Sequence, residues 1–148
     1  MSLISLAAQG VNVVRSSSSG AFTTTSASFV EVTNLTKVIQ LTGNKPVLCF
    51  LQANTTNDGA IELTGTTVSE VGAQFRFFDG TTGFGGSSMK WSESGLSATV
   101  EYDIPGSSFA GLDPSPAAGA VTYSFQCKRS DGSTSILVDE CLLVVIEL

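Results

Sequence analysis

The chain is 148 residues long, a length that suits one domain and lets folding remove roughly 68–70% of the unfolded chain's surface from water. Apolar residues make up 42% and charged residues 14%; ordinary soluble domains carry about 25% charge, so polarity here comes from Ser, Thr and Gly instead. A net charge of −6 with seven scattered basic residues argues against nucleic-acid binding, and the absence of His excludes Ser-His-Asp and Cys-His catalysis and the common zinc sites.

Residues 1–28 read as an arm ahead of the body at 29–148. Leu3, Ile4 and Leu6 form a short apolar head, and a strand is expected at 11–15 around Val11 and Val13. The run Ser16-Ser17-Ser18-Ser19-Gly20 then reads as a flexible joint by composition. The leading segment lacks the basic start and the long apolar stretch of a signal peptide. No run approaches the ~18 apolar residues of a membrane span. A soluble protein made in the cytoplasm, with no membrane partner, is the expectation.

Helix signals are nearly absent, and strand signals recur between Gly, Asn and Asp punctuation. Strands are expected at 29–32 and 37–41, then a turn at 42–45. Pro46-Val47-Leu48-Cys49-Phe50-Leu51-Gln52 is a continuous apolar run and so a central strand. Further strands follow Asn57-Asp58-Gly59, at 60–64, and before Asp79-Gly80, at 73–78. Residues 80–88 read as a Gly-rich loop and 89–92 as a short strand bearing Trp91. Residues 98–104 alternate cleanly, as a half-solvated strand does. Residues 105–119, with Pro105, Pro114 and Pro116, read as a long surface loop. Strands at 121–128 and 135–138 lead to the closing run Cys141-Leu142-Leu143-Val144-Val145-Ile146-Glu147-Leu148.

Seven of those last eight residues are apolar. A strand exposed on one face alternates; a strand without alternation is covered on both. One face can be covered by the domain's own core, and the other calls for a further layer or another copy of the chain. Leu143 and Val145, with Leu3, Ile4, Leu6, Val11 and Val13 of the arm, are the candidate interface residues. Glu147, the one charge in the strand, is expected at the end or rim of such an interface. The whole pattern, about nine or ten strands at 8–12-residue spacing, predicts an all-β protein. Its expected fold is an antiparallel β-sandwich of jelly-roll type, which places apolar terminal strands centrally in facing sheets.

Chemistry is thinly represented. Cys49, Cys127 and Cys141 are an odd set without metal spacing and read as reduced core thiols. A Cys127–Cys141 bridge is the alternative. Glu101 and Asp103 share one strand face about 7 Å apart, a glycosidase-like separation, but a solvated strand face explains them more simply. Asp139-Glu140 is too little for a calcium site, and the glycines at 80–86 lack the Lys and the helix of a phosphate loop. Trp91, Phe84 and Tyr102 are the candidates for a sugar-stacking platform, against the simpler reading of core aromatics. No catalytic residue, metal or cofactor is predicted, and the chain is not expected to be an enzyme.

Four stretches carry a resemblance: Phe29-Val30-Glu31-Val32 with Leu35, the 46–52 run, Ala120-Val121-Thr122-Tyr123-Ser124-Phe125-Gln126, and the terminal Leu142–148 run. Their order resembles small trimeric jelly-roll proteins of tailed-phage virions, the capsid cement or decoration proteins. It is also similar to the head domains of phage fibres and of the C1q/TNF class. The resemblance spans about residues 29–148 and brings no catalytic residues. It implies a homotrimer on the capsid exterior that binds the major capsid protein. The short leading segment and the lack of a Gly-X-Y stalk favour a cement protein. A receptor- or carbohydrate-binding fibre head is the alternative.

Overall fold

The computed structural model describes residues 11–54, 60–65, 71–91, 99–130 and 134–148. Among them run twelve strand segments and a single 3-10 turn, Gly106–Ser108. The segments are β1 (Asn12–Arg15), β2 (Phe22–Thr24), β3 (Val30–Leu41), β4 (Val47–Ala53), β5 (Ala60–Gly65) and β6 (Val71–Phe78). They continue as β7 (Gly83–Trp91), β8 (Val100–Pro105), β9 (Ala110–Asp113), β10 (Gly119–Arg129), β11 (Thr134–Val138) and β12 (Cys141–Glu147).

Every pairing is antiparallel. The sheet orders are β1-β12-β4-β9, β2-β11-β5-β8 and β3-β10-β6-β7. The first two are the ends of one long sheet, because the same four stretches of chain run through both in the same order. Hydrogen bonds carry the ladder across the break: Ser19 N donates to Cys141 O at 2.9 Å, Asn54 N to Glu140 O at 2.8 Å and Leu51 N to Phe109 O at 3.1 Å. Counted with each interrupted strand as one, the long sheet reads 1-8-3-6 and the facing sheet 2-7-4-5. That interleaving is a jelly roll.

The two continuous apolar runs lie where their composition requires. Strands three and eight are the central pair of the long sheet, joined in register from Cys141↔Ala53 to Glu147↔Val47. The expectation that the terminal strands lie in facing sheets is corrected: β1 and β12, the first and last strands, are neighbours in this one sheet. Between the sheets, Phe75, Phe77, Phe109 and Phe125 form a buried aromatic cluster, with ring centroids 4.8 Å apart for Phe75–Phe109 and 5.3 Å for Phe77–Phe125. Each such pair adds about 0.5–1.5 kcal/mol beyond its buried area. Cys49, Cys127 and Cys141 are free and buried in the same core. Burial pushes their thiols upward, Cys127 to about 12 and Cys141 to about 11. The buried Tyr123 hydroxyl is satisfied by donating to Asp113 Oδ2 at 2.8 Å, a bond that ties β10 to β9 of the opposite sheet.

Three expectations are corrected. The arm does not end at 28: β1 and β2 are the edge strand of the long sheet, paired to β12 and β11. The Ser run between them is built into the ladder. Ser16 Oγ accepts from Leu143 N at 2.9 Å and Ser19 Oγ from Cys141 N at 3.1 Å. Serine hydroxyls thus satisfy two buried backbone donors where β1 and β2 part from the regular ladder. The Gly-rich stretch at 80–88 is largely strand β7. Its glycines allow contact between sheets: a Cβ on Gly85 (φ +58°) would fall 2.6 Å from the Cα of Gly111 in β9. The 105–119 stretch contains β9, whose pairing to β4 gives Ala-Gly-Leu-Asp a strand conformation that its own residues signal weakly. Leu3, Ile4 and Leu6 lie outside the described residues.

Candidate functional site: an apolar outer sheet face

Strand β12 sends its odd residues inward. Cys141, Leu143 and Val145 are fully buried in the core. Leu143 and Val145 were candidate interface residues, and the alternation of the strand turns both into the sandwich, where a partner cannot reach them. The outward positions are Leu142, Val144 and Ile146.

The register assembles these into a face. Val13, Ile146, Leu48 and Leu112 form one row across β1-β12-β4-β9. Arg15, Val144, Phe50 and Ala110 form the next, and Leu142 with Gln52 begin a third. Val13 is 43% exposed and Leu112 49%, while Leu48, Phe50, Leu142 and Ile146 are half-buried. Val144 is only 2% exposed yet stands outside the core cluster. Val11, just ahead of β1, is 65% exposed. Eight of these ten row positions are apolar, so the outer face is a partly exposed apolar surface.

Glu147 belongs to the inward set. It is 4% exposed, at the end of the strand. Its carboxylate accepts from Thr42 N at 2.7 Å, Thr42 Oγ1 at 2.5 Å and Asn12 Nδ2 at 3.3 Å. These bonds hold its pKa below the usual glutamate range. The charge therefore pins the β3–β4 turn and β1 to β12 and leaves the outer face without a charge on this strand.

A second feature lies on the facing sheet. Phe29, Gln74, Arg76, Phe84, Ser87 and Ser88 line an open groove of about 240 Å³ beside β6 and β7. The Arg76 guanidinium stacks on Phe29 at 3.9 Å, lies 5.1 Å from the Phe78 ring, and donates through Nε to Gln126 Oε1 at 2.8 Å. Of the expected sugar platform, Phe84 is in this groove and Tyr102 is on the long sheet; the Trp91 side chain lies outside what is described.

A third feature joins Glu62 to the expected Glu101 and Asp103. Their carboxylate oxygens lie within 4.8 Å of one another on β5 and β8. Glu101 and Asp103 are exposed. Exposed acidic groups of this kind are common without an ion. Glu140 is likewise engaged in structure, accepting from Ser18 Oγ at 2.8 Å and Asn54 Nδ2 at 3.0 Å, which lowers its pKa.

No protein-family model and no curated protein matches the chain. Among solved structures it is similar to the Eiger TNF of S. frugiperda, at 7% identity over 95% of this chain and 94% of that one, with a TM-score of 0.41. It is also similar to the infectious bursal disease virus structure, Gx strain, at 12% identity, where it covers 93% of itself but 32% of the viral chain, with a TM-score of 0.33. The family 11 carbohydrate-binding module of Clostridium thermocellum follows at 18% identity, 91% and 90% coverage and a TM-score of 0.26. These are likenesses of fold, and the jelly roll of this chain stands on its own strand pairings.

Proposed function

We propose that this chain is a non-enzymatic assembly module that forms a homotrimer through the outer face of β1-β12-β4-β9. The observation that carries the reading is that face, apolar across four strands with no charge on its two central ones. Four strands at about 4.8 Å and three rows at about 7 Å span roughly 400 Å² of flat sheet. A stable interface takes about 800 Å² per partner, so a dimer through this face alone falls short. A closed threefold ring is heterologous, so each copy buries this face against one neighbour and a second patch against the other, covering about twice the area per copy. Each Å² of apolar area so covered contributes roughly 25 cal/mol.

The role we assign to the trimer is that of a capsid cement or decoration protein on the virion exterior, bridging subunits of the major capsid protein. The low-charge, Ser/Thr/Gly-rich surface supports it, as does the match between a threefold ring and the local threefold sites of an icosahedral lattice. Equilibrium sedimentation followed by mixing with undecorated capsids is the test. Trimers that bind and stabilise capsids are expected; a monomer that ignores them refutes the proposal. A second reading, a receptor- or carbohydrate-binding head, is supported by the Arg76 groove and is compatible with the same trimer.

A further inference from the structure

Arg76 is held with unusual care for a residue on an outer sheet face. One side of its guanidinium rests on Phe29. Its Nε is taken by Gln126. Along its length lies Gly83, where even a Cβ would come within 2.6 Å of Arg76 Cδ and 2.9 Å of its Nη1. The arrangement fixes the plane of the fork and leaves the Nη donors unclaimed by any carboxylate among the described residues. Lys128 Nζ lies 4.7 Å from the same Phe29 ring. Two of the chain's seven basic residues therefore meet at one aromatic on a protein of net charge −6. A planar, pre-set guanidinium is suited to bidentate carboxylate recognition.

The rest of the groove narrows the class of ligand. By register Gln74 and Ser88 share the outward face with Arg76, while Phe84, packed on Phe77, lines the groove from the core side; an amide and a hydroxyl beside an apolar wall suit a compact molecule with hydroxyls on its rim and C–H groups on its face. At about 240 Å³ the space is below the roughly 300–1,000 Å³ of pockets that enclose drug-sized ligands, and so fits one sugar-sized ring. Peptides commonly bind by adding a strand at a sheet edge; β7 is the edge strand of its sheet, so a peptide is tested beside the sugars.

We propose that the groove binds a single acidic sugar unit, a uronic- or sialic-type carboxylate, with Arg76, seated on Phe29, as the carboxylate fork, Phe84 as the apolar surface, and Gln74 and Ser88 as hydroxyl partners. The inference rests on the binding-head reading and not on the trimer or the capsid.

The test is titration of the intact protein, by calorimetry and by amide NMR shifts, with glucuronate, galacturonate and sialic acid, their neutral parent sugars, and a short Glu-terminated peptide. Acidic sugars are expected to bind with shifts confined to 74–76 and 83–88. Arg76→Gln should weaken them by about 10- to 100-fold, and Gln74→Ala should weaken them with the Arg76 stack intact. A Lys45→Ala control should bind as wild type. Thermal melts establish that each variant is folded. Equal binding of neutral sugars overturns the acidic class but leaves the binding head. Tighter binding of the peptide overturns the saccharide. No binding of any sugar overturns this proposal and the carbohydrate-binding form of the head reading, whatever the oligomeric state.

Discussion

Leu112→Glu separates assembly from folding. Leu112 is 49% exposed on edge strand β9, so the change should alter monomer stability by no more than about 0.5 kcal/mol. In a trimer the same site is covered. Full burial of a Leu side chain contributes about 1.5–3 kcal/mol; the exposed half is then worth about 1 kcal/mol per copy, or about 3 kcal/mol for three. That lowers the association constant about 100-fold. The carboxylate adds a desolvation cost of several kcal/mol wherever it is enclosed, so the trimer should be lost at working concentrations. Leu112→Ala isolates most of the apolar part. Sedimentation velocity across a concentration series, with circular dichroism melts of the same samples, reads both quantities. The reasoning is refuted if the wild type sediments as a monomer at high concentration. It is equally refuted if Leu112→Glu keeps the wild-type association curve.

Three further outcomes follow from the interior. Because its folded pKa is lowered, Glu147 contributes stability that is present above the ordinary Glu value and is lost as pH falls through the folded one. Glu147→Gln should therefore melt below wild type at pH 7, with the gap closing on acidification below about pH 4.5; a gap independent of pH would contradict the carboxylate's role. Gly85→Ala must place a Cβ against the Gly111 backbone at positive φ and should cost about 3 kcal/mol or more, whereas Gly86→Ala, with nothing within 4 Å, should melt like wild type. Ser16→Ala strands the Leu143 N–H without its side-chain acceptor and should cost about 1–3 kcal/mol in chemical denaturation; exposed Ser17→Ala is the control, and equal effects of the two would refute the role of the Ser16 hydroxyl in the ladder.

What the sequence determined by itself was the class of the fold and the rank of its strands. Gly/Asn/Asp punctuation separated the segments, and the missing alternation at 46–52 and 141–148 marked two central strands. The structure makes these the central pair of the long sheet. That signal is compositional, so it survives without knowledge of partners.

Tertiary structure decided what composition cannot encode. A run of serines is a flexible joint in isolation; it becomes a strand crossing only when the N–H groups of Leu143 and Cys141 lie opposite its hydroxyls. The glycines of β7 and the Ala-Gly-Leu-Asp of β9 have weak strand preference and are strands because a partner ladder and a close sheet contact hold them. Face assignment was the other decision. An uninterrupted apolar strand carries no mark of which residues point inward. Leu143 and Val145 went to the core, Leu142, Val144 and Ile146 to the outer face, and only the register with β1 and β4 could settle it. The Arg76 groove arises the same way, from residues 29, 76 and 126 that are far apart in the chain and adjacent on one sheet.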